Sequence, residues 1–256
     1  MTHGKKWACA IGVWAWHFAG PTVSAQTEPI TFDRPGVADS PFLVVSGGPQ
    51  IEMGVASGFQ AFNPDDFWPV VLLRYRVHDE AELRVNANYK PPLTVLTDRL
   101  AAEGIVLWSA GGKVNVCSEK GLRPQTAVIA NGFIGTPGAA QDRTGWGLDF
   151  YLAFIHTVHP KVSVNTNVGY LRFNLLEAPS LGASCAVNAV VTERLGCFVE
   201  GFGWQSTTGN SPEVGWDIGA TLLSGEFVQW DVSFVRSYPA GARVDAGSVG
   251  VSRFFN

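Results

Sequence analysis

From Gln50 to the end of the chain, apolar and polar residues alternate with a period of two, in run after run bounded by turn residues. The runs are about 9–11 residues long, the length at which a tilted strand crosses the hydrocarbon of a bilayer. In Ile51–Phe59, Ile51, Met53, Val55 and Phe59 share one face, and Glu52, Gly54, Ala56 and Gly58 the other. The same pattern recurs in Val71–Val77, Glu82–Tyr89, Val106–Val116, Trp146–Phe154, Val162–Tyr170, Val214–Leu222 and Val228–Phe234. Three runs, Gln125–Ile134, Ser184–Thr192 and Leu195–Trp204, are less regular; in the last, turning Glu200 inward also turns Phe198 and Phe202 inward. With the final run Ser248–Phe255, the reading gives about twelve strands in one all-β domain.

After the first 25 residues no apolar run reaches the ~20 residues a spanning helix needs. If the chain crosses a membrane, it does so as a closed antiparallel transmembrane β-barrel, because hydrocarbon tolerates no unpaired backbone N–H or C=O. The connections favour this over a soluble sandwich. Short ones (His78–Glu80, Ser118–Gly121, Thr157–Pro160, Thr192–Arg194, Ser224–Glu226) alternate with longer ones (Gln60–Phe67, Lys90–Gly104, Pro137–Thr144, Arg172–Ala183, Gln205–Pro212). That is the parity of periplasmic turns and outer loops, and an even strand number puts both ends of the barrel on the periplasmic side. Only 16% of residues are charged, against ~25% in soluble domains, and the apolar faces are almost free of charge. Phe59, Phe62, Phe67, Trp68, Tyr89, Tyr170, Trp204 and Tyr238 fall near strand ends, where aromatic belts form. The chain closes on Arg253-Phe254-Phe255-Asn256, an aromatic-ended last strand suited to recognition by barrel-assembly machinery. Arg253 falls on the lipid phase but can snorkel to the interface.

The N-terminus reads as an export signal: Lys5 and Lys6, an apolar stretch Trp7–Ala19, and Val23-Ser24-Ala25 before a cleavage point at Gln26. The expected organisation is a signal peptide at 1–25, a Pro- and Gly-rich periplasmic lead-in at 26–49 that can fold into the barrel mouth, and an outer-membrane barrel at 50–256. Without the leader the formal net charge falls from −4 to −6, since only two lysines leave; a nucleic-acid partner is not expected. Cys117, Cys185 and Cys197 remain, an odd number that is no disulfide framework. They read as small apolar or lumen-facing residues.

The motifs Phe32-Asp33-Arg34-Pro35, Ser40-Pro41 and Gly48-Pro49-Gln50-Ile51-Glu52-Met53-Gly54 resemble the opening of the MetA-pathway phenol-degradation family of outer-membrane "transporters". Leu72-Leu73-Arg74-Tyr75, Glu82-Leu83-Arg84 and Thr192-Glu193-Arg194-Leu195-Gly196 are similar too. The resemblance implies a barrel that passes small, aromatic or hydrophobic, solutes; it supplies no catalytic residues.

On the strand phase, Glu52, Arg74, Arg76, Glu82, Arg84, Lys113, Asp149, Asp217 and Asp231 point inward. A three-residue loop at His78–Glu80 sets Arg76 opposite Glu82 and Arg74 opposite Arg84, with Glu52 able to serve the pair. These residues form either a charged constriction that selects solutes or a salt-bridge network that fills the barrel. The expected function is passive passage of small solutes across the outer membrane, with outer-membrane lipid as the surroundings and no cofactor. A structural or adhesive barrel with a plugged lumen is the alternative. An enzyme is not expected: His156 and Ser163 fall on opposite faces of adjacent strands, and His78 and His159 sit in turns. Cys and His lack zinc spacing, and Gly111-Gly112 lacks the strand-to-helix context of a phosphate loop.

Overall fold

The computed structural model describes residues 31–58, 67–90, 105–136, 145–173, 178–209 and 212–256. The export signal, lead-in residues 26–30, Phe59, Phe62 and most of the longer connections lie outside the described residues. The alternating runs become the strands β1 (Pro49–Gly58), β2 (Phe67–His78), β3 (Ala81–Lys90), β4 (Ile105–Cys117), β5 (Gln125–Thr136) and β6 (Gly145–His159). They continue with β7 (Val162–Phe173), β8 (Ser180–Val190), β9 (Leu195–Ser206), β10 (Glu213–Leu223), β11 (Val228–Ser237) and β12 (Val244–Phe254). Each pairs antiparallel with its neighbours in sequence, and β1 pairs with β12, so among the described residues twelve strands form one closed barrel. Closure leaves no sheet edge with unpaired backbone groups.

The pleat then sorts the side chains. Met53, Leu73, Val85, Leu148, Phe150, Leu152, Ile218 and Val232 stand exposed on the outer wall, while Glu52, Arg74, Lys113, Glu200 and Asp217 are buried within. This inverts a soluble protein's arrangement, in which such a row of exposed aliphatic residues would be a large apolar patch. The three irregular runs have a common cause: their inward face is itself partly apolar. Ala127, Ile129 and Phe133 are buried on β5, Ala186 on β8, and Phe198 on β9 beside Glu200, so polarity no longer marks the inner face.

The β2–β3 connection is the two-residue turn Asp79-Glu80 rather than a three-residue loop. A bulge between Arg76 and His78 takes up the difference, and Arg76 still stands opposite Glu82 and Arg74 opposite Arg84. At the opposite end of the barrel, β11 and β12 are joined through a 3-10 turn at Pro239–Gly241. Trp204 departs from the belt expected of it: it faces inward, with its ring edge-on to Tyr151 at 6.0 Å. Cys185 and Cys197 face outward and are exposed, so the lumen-facing alternative fails for both; Cys117 is half-buried, and all three are free thiols. At the chain end, the exposed Arg253 guanidinium lies 4.9 Å from the Phe255 ring centroid, which holds the charge at the rim of the apolar band.

Val232 sits mid-strand on the outer face, half exposed and opposite Ala220. Val232→Arg should cost about 2–4 kcal/mol of folding free energy in lipid vesicles, the depth-dependent penalty for arginine on a lipid-facing wall. A neutral result in a vesicle-refolding titration would place that face in water.

Candidate functional site: a charged lumen threaded by the lead-in

Four neighbouring strands carry the first half of the site. Glu52 (β1), Arg74 (β2), Glu82 and Arg84 (β3) and Lys113 (β4) all point inward and are buried. Although Arg76 is the residue opposite Glu82, the ion pairs run on the diagonal, which long side chains can reach. Arg74 Nε lies 2.9 Å from Glu82 Oε1, and its Nη1 3.1 Å from Glu52 Oε1. Arg76 stays at the turn end, where Nη2 donates to the Asp79 carbonyl at 2.8 Å.

Into this group comes the lead-in, whose described part runs from Thr31 to Gly48. The Asp33 carboxylate accepts from Arg84 Nη1 at 2.8 Å and Lys113 Nζ at 2.9 Å. Burial by itself would raise the Asp33 pKa; Arg74, Lys113 and Arg84 outweigh it and hold this carboxyl well below the usual carboxylate range. The backbone N–H groups of Asp33 and Arg34 donate to Glu52 at 3.0 and 2.9 Å, and that of Val44 donates to Glu82 at 2.6 Å. Lys113 Nζ donates to the carbonyls of Ser40 and Phe42, and Arg74 to those of Thr31 and Phe42. Glu52, Arg74, Glu82 and Lys113 thus each meet both a counter-charge and a backbone dipole, and Arg84 meets two carboxylates. That is the condition under which a buried ion network repays its desolvation.

The same segment reaches the far wall. Arg34 Nη2 lies 3.1 Å from Asp231 Oδ1 on β11. The Val37 N–H donates to Glu200 on β9 at 2.7 Å, and the Asp39 N–H to Asn167 on β7 at 2.7 Å. Meanwhile the Asp39 carboxylate accepts from Arg84 back on β3 at 2.9 Å. The lead-in therefore crosses the lumen from wall to wall. Asp33, Arg34 and Asp39 are the site residues that strand phase could not assign, since the lead-in has no period; Asp33-Arg34 carried only a family resemblance.

Gly54 and Gly250 stand opposite each other on β1 and β12, and the Arg34 guanidinium lies flat on both. A Cβ at Gly250 would come within 2.5 Å of Arg34 Nε and 2.7 Å of Asp231 Oδ2, and one at Gly54 would overlap the guanidinium. Gly250→Val should force Arg34 off Asp231, at about 1–3 kcal/mol of overpacking. Limited proteolysis of the folded protein checks this: the variant's lead-in should be cut while the wild-type's stays protected.

The half of the lumen away from Arg74 and Lys113 is built differently. On its inward face, an aromatic residue stands directly opposite a glycine in five places. Phe133 covers Gly147, Tyr151 covers Gly169, Trp204 covers Gly182, Phe202 covers Gly215, and Phe198 covers Gly219. A ring packed against a glycine shields the bare backbone on the inner wall. Of the remaining inward acids, Asp149 accepts from Asn131 Nδ2 at 2.7 Å. Asp217 is buried opposite Glu200.

His156 does not face Ser163: it lies opposite Val164, with Thr157 opposite Ser163. Its Nδ1 is 2.9 Å from Glu119 in the β4–β5 turn. Glu119 also accepts from the Thr157 backbone N–H, the largest cause of its lowered pKa. Among the described residues no group of three or more His, Cys, Asp or Glu could hold a metal ion.

Several solved barrels share this fold. A KdgM porin in complex with disordered oligogalacturonate superposes with a TM-score of 0.59 at 9% identity, covering 81% of this chain and 99% of that one. An outer membrane channel from Pseudomonas putida F1 gives 0.58 at 10% identity, covering 86% and 99%. The CymD monoaromatic hydrocarbon channel gives 0.51 at 8% identity, covering 83% and 90%. At these identities the likeness is one of fold. No protein of curated function matches the chain in sequence. Residues 32–252, which take in both the lead-in and nearly the whole barrel, match the family model described as "Putative MetA-pathway of phenol degradation", and the chain belongs to that family.

Proposed function

We propose that the protein is an outer-membrane channel for the passive passage of small aromatic or hydrophobic solutes, with the lead-in as its stopper. The observation that carries this is the divided lumen. One half is an ionic seat that holds the lead-in; the other, which the lead-in touches at Glu200 and Asn167, is lined by aromatic rings packed against glycines. An apolar ring passing such a wall exchanges one π-contact for the next and needs no tight site. That suits flux, which requires binding weak enough to leave. Family membership and the fold shared with porins and channels support the reading.

The test is reconstitution of the folded chain. Liposomes carrying it should take up a small aromatic solute such as benzyl alcohol faster than empty liposomes do, and planar bilayers should show unitary conductance. Neither flux nor conductance from the folded barrel, with or without residues 31–44, would defeat the proposal. The seated lead-in also favours a second reading, a plugged structural barrel. Removal of the lead-in, treated below, separates the two.

A further inference from the structure

Between the lead-in and the turn end of β6–β9 lies a cavity of about 440 Å³. Phe32, Ile155 and Phe198 give it apolar surface; Glu200 and Asn165 give it polar surface. Glu200 uses Oε2 to accept from Val37, and Asn165 uses Nδ2 to donate to the Asp39 carbonyl. The other end of each side chain, Glu200 Oε1 and Asn165 Oδ1, is buried without a hydrogen bond of normal geometry among the described residues, although the Ser184 hydroxyl and the Ala38 N–H also lie close to the Glu200 carboxylate. The two residues are 2% and 6% exposed. Directly opposite Glu200 on the same face stands Asp217, also 2% exposed, with an unpartnered Oδ1. Buried acceptors left open are costly and uncommon.

The wall's own cations are committed elsewhere. Arg34, which also borders the cavity, is bound to Asp231. Arg74, Arg84 and Lys113 are held by Asp33, Glu52 and Glu82 across the lumen. Lys161 and His159 border the cavity only at its exposed rim, in and beside the β6–β7 turn. Glu200 Oε1 and Asn165 Oδ1 thus stand as open acceptors on β9 and β7, while the open donor of the same lining, Gln229 Nε2, belongs to β11.

We propose that this cavity is a binding subsite for a small organic cation, an alkyl or aryl ammonium. The ammonium group donates to Glu200 Oε1 and Asn165 Oδ1, Asp217 adds its field from the neighbouring strand, and the hydrocarbon body lies against Phe32, Ile155 and Phe198. An ammonium carries three donors and no acceptor, which matches the open oxygens of Glu200 and Asn165. The subsite rests on the channel reading only in lying beside the solute path; binding itself requires no conduction.

Isothermal titration calorimetry of the folded full chain in detergent tests it, with benzylammonium and benzyl alcohol as probes of the same size. Benzylammonium should bind at least about tenfold tighter, the margin of one charge-assisted hydrogen bond over a neutral one. Glu200→Gln keeps an acceptor for the Val37 N–H and should erase that preference; Asp217→Asn should reduce it. Equal affinity for the two probes, no binding of either, or a preference that survives Glu200→Gln would overturn the subsite. Absent conductance even after removal of residues 31–44, alongside selective benzylammonium binding by the full chain, would sink the channel and leave the subsite standing.

Discussion

Replacing Arg74 by methionine should lower the unfolding free energy of the barrel by about 3–5 kcal/mol, the cost of breaking a buried ion pair from one side. Arg74 is fully buried. It is the shared partner of Glu52 and Glu82, lies 3.5 Å from Asp33, and caps the carbonyls of Thr31 and Phe42. Methionine fills similar space without the charge and strands these acceptors away from water. Arg74→Lys should fall between, because an ammonium cannot make the paired fork contacts of a guanidinium. Urea unfolding in lipid vesicles, followed by tryptophan fluorescence, gives the numbers. A loss under about 1 kcal/mol, the range of a solvent-exposed pair, would show that water reaches the network and that the lumen is not packed around Arg74.

Deleting residues 31–44 should leave a folded barrel with a much larger unitary conductance than the intact chain. The strand ladder is complete without the lead-in: each hydrogen-bonded neighbour of every strand is another strand, round to β12. What leaves is the segment that spans the lumen between Lys113 and Glu200. Partial release should follow from smaller changes. Raising an open state from about 1% to half the population takes about 2.7 kcal/mol, half of what a 1:99 to 99:1 shift requires. A hydrogen bond to a charged group contributes about 1.5–3 kcal/mol, and Asp33 accepts from both Arg84 and Lys113. Asp33→Asn should therefore produce frequent openings in single-channel records, short of the deletion's conductance. Conductance unchanged by the deletion would mean that the segment stands beside the solute path rather than in it.

The outer wall, the strand count and the pairing of Arg74 with Arg84 across β2–β3 were legible in the chain because two-residue periodicity is a local property. It needs only a face that meets lipid and a face that does not. The signal fades on β5, β8 and β9, where Ile129, Phe133, Ala186 and Phe198 face inward: apolar residues on both faces cancel the contrast. Trp204 shows the same limit, since a tryptophan near a strand end fits a membrane interface and an aromatic inner wall equally well. Asp33, Arg34 and Asp39 were unreadable for a different reason. Their partners Lys113, Asp231 and Asn167 lie 80, 197 and 128 residues away in sequence, and nothing periodic ties a loop to a wall. The glycines opposite Phe133, Tyr151 and Phe202 were visible as composition, but their purpose depends on register.

Arg34 rests on Gly54 and Gly250, which belong to the first and last strands. Its guanidinium holds Asp231 on the penultimate strand, while its own backbone N–H is held by Glu52 on the first. The stopper is thus stitched across the seam where the two ends of the sheet meet, a meeting that only the finished barrel provides. A chain still missing its last hairpin has no floor for that arginine and no counter-ion for it. The Arg34 clasp therefore forms only once the last hairpin is in place, whereas the Asp33 seat on the first four strands does not depend on it.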